Sequence, residues 1–150
     1  MIFNRTKADV DEAKKIRVQK VQHFDQLTDD EINILERGMM TINTLNRIEQ
    51  AQDELVGLLN GAGYWNIAIE NKAWQNTDIF DSSEFQRILD NTNVLKNAFL
   101  TYGNTPRTPN ISYRYDDINA LEKILYDLNS MVDDIEENYR ECGNFECGEG

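Results

Sequence analysis

With 150 residues and a mass of 17.4 kDa, the chain has the length of one domain, and its 40% apolar content is enough to bury one core without staples. Its 27 acidic against 15 basic side chains set a formal net charge of -12 and a pI of about 4.4, which argues against a nucleic-acid partner because phosphate would be repelled. The longest uncharged stretch, residues 55–69, is broken by Gly57, Asn60, Gly61, Gly63 and Asn66 and falls short of the roughly 20 apolar residues a spanning helix needs, so no membrane partner is expected.

The first residues carry Asp9 where a signal peptide would need its apolar region, so the chain is expected to stay in the cytosol where it is made. Thr6-x-x-Asp9 has the spacing of a capping box and predicts the start of a first helix. Acids come early in that helix (Asp9, Asp11, Glu12) and bases late (Lys14, Lys15, Arg17, Lys20), following the macrodipole. Its apolar face, Val10, Ala13 and Ile16, blurs after Val18, which makes it the least firmly packed of the set. Thr28-Asp29-Asp30-Glu31, with Leu27 as a staple, opens a short second helix to Arg37 that Gly38 stops.

After a link through Thr41 and Asn43, the run Leu45, Ile48, Ala51, Leu55, Leu58 and Leu59 has helical spacing and ends at Asn60-Gly61, a common left-handed terminus. Gly57 inside it calls for a compensating close approach of a neighbour. From Gly63 the pattern changes, and Trp65, Ile67 and Ile69 alternate as a short extended excursion or small hairpin would. Trp74 falls in the polar turn that follows. The two tryptophans read either as a lid over the core, the commoner fate, or as an exposed binding surface.

Asp81 and Glu84 have capping-box spacing, and Phe85, Ile88, Leu89, Thr92, Leu95 and Phe99 give the next helix its buried face as far as Tyr102-Gly103. Pro106 and Pro109 then mark a non-helical linker. In the last helix Ile118, Leu121, Leu125, Leu128, Val132, Ile135 and Tyr139 recur by threes and fours. Ile124 and Met131 widen that stripe, and the flanking Glu122 and Glu136 lack the basic partners of a self-pairing zipper. Burial in a bundle is therefore favoured over an oligomer seam. The expected fold is mainly α: a bundle of four to five helices over residues 1–140, one extended excursion, and an extended C-terminal tail over 141–150.

Chemical signatures are sparse. No phosphate-binding glycine loop, zincin helix or hydrolase elbow occurs. Cys142 and Cys147 with the distant His23 fall short of a zinc set, and as cytosolic thiols they are not expected to pair. Asp133-Asp134-x-Glu136-Glu137 lacks calcium-loop spacing and reads as a solvated helix face. No catalytic residue, cofactor or metal is nominated. The tail repeats Glu-Cys-Gly five residues apart with Phe145 between the copies, and such a segment either frays or pairs as a strand with another chain. Candidate partner-binding residues are therefore Glu141, Cys142, Gly143, Phe145, Cys147 and Gly148, with Trp65 and Trp74 as a second surface.

Four motifs span most of the chain: Arg5-Thr6-x-Ala8-Asp9-Val10; Leu45-Asn46-Arg47-Ile48-Glu49 leading to Leu58-Leu59-Asn60-x-x-Gly63-Tyr64; Ser83-Glu84-x-x-Arg87-Ile88-Leu89-x-Asn91; and Asp117-Ile118-Asn119-x-Leu121-Glu122-x-Ile124-Leu125-x-Asp127. Together they resemble a structural module of phage tail and baseplate proteins, found in phages and tail-derived particles of Gram-positive bacteria. The terminal Cys142-Gly143-x-Phe145-x-Cys147-Gly148-Glu149 is similar to short aromatic and glycine tails after that module, where serine often replaces cysteine. Asp116 departs from it, standing where a threonine cap is expected. The resemblance implies a virion structural protein at the tail tip, baseplate or fibre attachment, assembled in the host cytoplasm with other virion proteins, in multiple copies of a symmetric assembly. The alternative from another class is a free cytosolic helical adaptor or regulator that binds one host or phage protein.

Overall fold

A computed structural model describes residues 1–63, 66–110 and 114–143, except for the side chains of Phe24 and of 139–143. Within these residues lie five α-helices: α1 (Lys7–Gln19), α2 (Asp29–Gly38), α3 (Ile42–Gly61), α4 (Ser82–Ala98) and α5 (Tyr115–Gly143). A single 3-10 turn, Phe24–Gln26, joins α1 to α2. The fold is a mainly helical bundle.

Each helix starts where a short polar side chain satisfies the free amides of the first turn. Thr6 and Asp9 form a complete capping box on α1, and Thr28 and Glu31 form one on α2. Thr41 caps α3 through the Thr44 amide at 3.2 Å. On α4 the Asp81 carboxylate accepts from the Ser83 and Glu84 amides at 2.9 and 3.1 Å, but Glu84 turns away to Arg87 and Lys72, so only half of the expected box forms. No threonine is needed at α5, because the Asp117 carboxylate reaches back to accept the Arg114 amide at 3.1 Å.

The main core is the triangle of α3, α4 and α5. Leu45, Ile48, Leu55 and Leu59 meet Phe85, Ile88 and Leu95 and the α5 stripe Ile118, Leu121, Ile124, Leu125, Leu128 and Val132. The stripe expected on the last helix is thus buried within one chain as far as Val132. Ile135 is half-buried, and Tyr139 lies beyond the described side chains. A second, smaller core belongs to the α1–α2 hairpin alone: Ala13, Ile16 and Leu35, with Leu27, Ile34 and Met39 against it. Beyond it Val18 and Val21 are exposed, as the blurred periodicity implied.

Gly38 does not stop α2 by a left-handed turn; it lets α1 and α2 touch. A Cβ there would stand 2.2 Å from the Asp9 carbonyl oxygen and 2.4 Å from the Ala13 Cβ. Gly57 is the reverse case: no atom lies within 4 Å of its would-be Cβ, so the close approach expected there does not exist. It faces solvent on the outer side of α3. The positive φ expected at Asn60-Gly61 falls two residues later, at Gly63, with φ 80°.

Among the described residues no β-strand or hairpin forms. Residues 66–80 run as extended chain over α3 and α4, with Ile67 and Trp74 buried. Helix α4 ends at Ala98, short of Tyr102-Gly103. The following segment is non-helical as its prolines demand, but it is not a free linker. Lys96 donates to the Pro106 carbonyl at 2.6 Å, Thr108 to Asn93 at 2.6 Å and Thr105 to the buried Asp127 at 2.8 Å. α5 carries helical backbone through Gly143, so residues 141–143 belong to the helix and not to an extended tail, and 144–150 lie outside the described residues.

Three substitutions check this packing by chemical denaturation. Gly57→Ala should stabilise the protein by about 0.5–1 kcal/mol, since nothing obstructs the methyl and glycine is costly in a helix interior. Gly38→Ala should cost about 1–3 kcal/mol through overpacking of α1 on α2. Leu125→Ala should cost about 2–5 kcal/mol through the cavity left in the main core.

Candidate functional site

Buried polar chemistry is concentrated at two glutamates. Glu122, on α5, is 0% exposed and shares the face of Ile118, Leu121 and Leu125. The Arg5 guanidinium donates to it, Arg47 Nε donates to its Oε1 at 2.8 Å, and the Ile2 amide donates to its Oε2 at 3.2 Å. One carboxylate thereby ties the N-terminal segment, α3 and α5 together. Arg5 itself is 4% exposed, so both charges are out of water and each depends on the other.

Glu49, on α3, is the second hub. Its Oε1 accepts from Trp74 Nε1 at 2.7 Å and from Arg87 Nη2 at 2.6 Å, while its Oε2 accepts from Arg87 Nη1 at 3.1 Å and from the Lys72 amide. Arg87 continues to Glu84 at 2.9 Å and to the Glu70 carbonyl at 2.6 Å. The bidentate hydrogen bond with Glu49 raises the Arg87 pKa above its ordinary value. Lys72 lies over the Trp74 ring, 4.4 Å from its centroid. Here α3, α4 and the extended residues 70–74 meet on one carboxylate.

Three asparagine amides complete the scheme. Asn119 accepts from the Arg5 amide at 3.1 Å and donates to the Arg5 carbonyl at 2.9 Å. Asn60 does the same for Ile67 at 2.8 and 3.0 Å, and Asn46 for Trp74 at 2.8 and 3.2 Å. A carboxamide offers one acceptor and a donor pair in one plane, so it matches the N–H and C=O of an extended residue as a neighbouring strand would. Asn91 and Asn71 add further bonds to the Glu70 and Glu49 carbonyls. These groups hold backbone in place. Every carboxylate oxygen of both hubs accepts from at least one donor.

The proposed binding residues fare differently. Trp74 is not on a surface or in an exposed turn: it is 3% exposed, packed edge-on against Phe80 at 5.5 Å and bonded to Glu49. It is the core lid, and it drops out as a partner-binding residue. Trp65, Phe145, Cys147 and Gly148 lie outside the described residues, and Glu141, Cys142 and Gly143 are described only as helical backbone of α5. Glu122, read from sequence as a stripe-flanking residue without the basic partner of a self-pairing zipper, is instead buried and bonded to Arg5 and Arg47. Its signal was present: it lies four residues after Ile118 and three before Leu125, and Glu49 lies four after Leu45. A charge at core spacing marks a buried pair.

Among the described residues no group of three or more His, Cys, Asp or Glu is placed to hold a metal ion, and no helix is long and apolar enough to cross a membrane. Compared with protein-family models, with curated proteins and with solved structures, the chain finds no match.

Removing a hub should be far more damaging than removing a pincer. Glu122→Ala should cost about 3–5 kcal/mol by leaving two guanidiniums unpaired, against about 1–3 kcal/mol for Asn119→Ala. Hydrogen exchange should show the Arg5 amide losing protection in both variants.

The caps make a pH prediction. The Thr6 hydroxyl holds the Asp9 carboxyl below its ordinary 3.8, the Thr28 amide holds Glu31 below 4.5 and the Ser83 hydroxyl holds Asp81 below 3.8. Depressed acids stabilise the fold above their ordinary values, and that contribution is lost as pH falls through the folded ones. Tyr102 has the opposite sign: its hydrogen bond to Asp134 pushes it from 10.0 to about 12, so its contribution is present below pH 10 and lost on the way to 12. Carboxyl-carbon NMR titration and phenolate absorbance should read these directions, and Asp134→Asn should lower the Tyr102 midpoint.

Proposed function

We propose that the chain is a structural component of a phage virion, at the tail, baseplate or fibre attachment, and that it acts through protein–protein assembly rather than catalysis. One observation carries this reading. Ten polar residues of the motifs that resemble phage tail modules tie the chain to itself: Arg5, Asn46, Arg47, Glu49, Asn60, Arg87, Asn91, Asn119, Glu122 and Asp127 all bond to other parts of the same chain. A motif built this way describes a stiff body, which is what a repeated part of a symmetric particle requires. The C-terminal residues supply the docking element: Phe145 is the large apolar side chain of 144–150, and the acids Glu146 and Glu149 beside it favour a basic rim on the receiving surface.

The test is a mass-spectrometric inventory of gradient-purified particles. The chain should co-sediment at fixed copy number with the other tail proteins. Recovery in the soluble lysate alone, bound to one host or phage protein, would instead make it a free helical adaptor. Deleting residues 144–150 should leave the melting temperature nearly unchanged and remove the chain from particles, and Phe145→Ala should reduce incorporation more than Asn144→Ala.

A further inference from the structure

A groove of about 620 Å³ opens between α1 and the first turn of α5. In a chain of net charge -12 its walls are basic: Arg5, Lys7, Lys14, Arg17 and Arg114 line it against the single acid Asp11. Lys7 is paired with Asp11 and Arg114 with Asp116, but Lys14 and Arg17 have no ion-pair partner among the described residues. They stand three residues apart, on one face of α1. Arg5, although buried and bound to Glu122 through Nη1, keeps Nε and Nη2 without a hydrogen-bond partner there. The floor is apolar and adaptable, with Met39, Met40 and Ile118. An apolar floor under unneutralised cations fits an acidic segment with one large apolar side chain.

The chain carries such a segment in its own last residues, Asn144-Phe145-Glu146-Cys147-Gly148-Glu149-Gly150. It cannot reach the groove of the same molecule. The α5 wall of the groove is at Tyr115 and Ile118, whereas the segment starts beyond Gly143. At 1.5 Å per residue the helix between them is about 40 Å long, and seven extended residues span at most about 25 Å. A second copy has no such restriction.

We propose that the basic groove between α1 and α5 receives the C-terminal segment of a second copy of this chain, with Phe145 over the methionine floor and Glu146 and Glu149 on Lys14 and Arg17. The contact is head to tail, so it repeats from copy to copy and closes into a ring or continues as a filament. This rests on the reading of the C-terminal segment as a docking element, and it names the receptor.

Sedimentation of the purified full-length chain tests it without particles. Association should increase with concentration through the micromolar range and weaken as ionic strength rises. The groove variant Lys14→Glu/Arg17→Glu and the tail variant Glu146→Lys/Glu149→Lys should each associate at least about tenfold more weakly. Mixing the two should restore association, because the native groove of the tail variant then meets the native tail of the groove variant, and the acidic groove of the one meets the basic tail of the other. Matching circular-dichroism melts establish that both variants fold. A wild-type chain that stays monomeric, or a mixture that shows no rescue, overturns the proposal. Self-association with swap rescue in a protein missing from particles would refute the virion role and leave this contact standing; incorporation without self-association would do the reverse.

Discussion

Buried extended backbone must find hydrogen-bond partners, and in this protein most of the partners are side chains. An extended strand normally satisfies its amides and carbonyls on another strand, yet among the described residues there is no sheet. The N-terminal segment and residues 66–80 nevertheless lie on the bundle with Arg5, Ile67 and Trp74 buried. Asn119, Asn60 and Asn46 supply the missing ladder one residue at a time, and Glu122 and Glu49 anchor the same segments by charge. Without those five side chains the helices would still have an apolar triangle to form, and Ile67 and Trp74 would still have a core to enter, but much of the extended backbone laid against it would lose its hydrogen-bond partners.

The two hubs also explain how three helices acquire one arrangement. An apolar core of leucine and isoleucine tolerates sliding of one helix along another, because methylene contacts are numerous and nearly equivalent. A carboxylate held by three or four donor bonds does not. Glu49 sets α4 against α3 through Arg87, and Glu122 sets α3 against α5 through Arg47, so both interfaces of α3 have a charged register mark. Such pairs add little net stability relative to apolar residues of the same volume; what they penalise is every packing in which one partner is left alone. A body with a single register is suited to incorporation at a fixed position in a larger assembly.

The α1–α2 hairpin follows a different rule. Its core is small, its closest contact is made possible by the absence of a side chain at Gly38, and it stands apart from the main apolar cluster. Its first helix carries Lys14 and Arg17, which line the groove facing the first turn of α5.

Helix identity and position were legible in the sequence because they depend on local chemistry. Thr6 with Asp9 and Thr28 with Glu31 cap the helices they precede, and the threes-and-fours stripe from Ile118 to Val132 faces the core, since both effects act within a turn or two of the residue concerned. The same locality limited what could be read. Gly38 and Gly57 look alike in sequence, and only the approach of Asp9 and Ala13 to one and of nothing to the other separates them. Glu122 looked like a flank without a basic partner until Arg5 and Arg47, 117 and 75 residues away along the chain, were brought to it. Trp74 resembled part of a polar turn until Asn46 and Glu49 closed over it. By itself the sequence determined where α1, α2 and α4 begin and which stripe the main helices bury. Tertiary structure alone decided which polar residues are interior, because a buried charge is defined by partners that arrive from elsewhere in the chain.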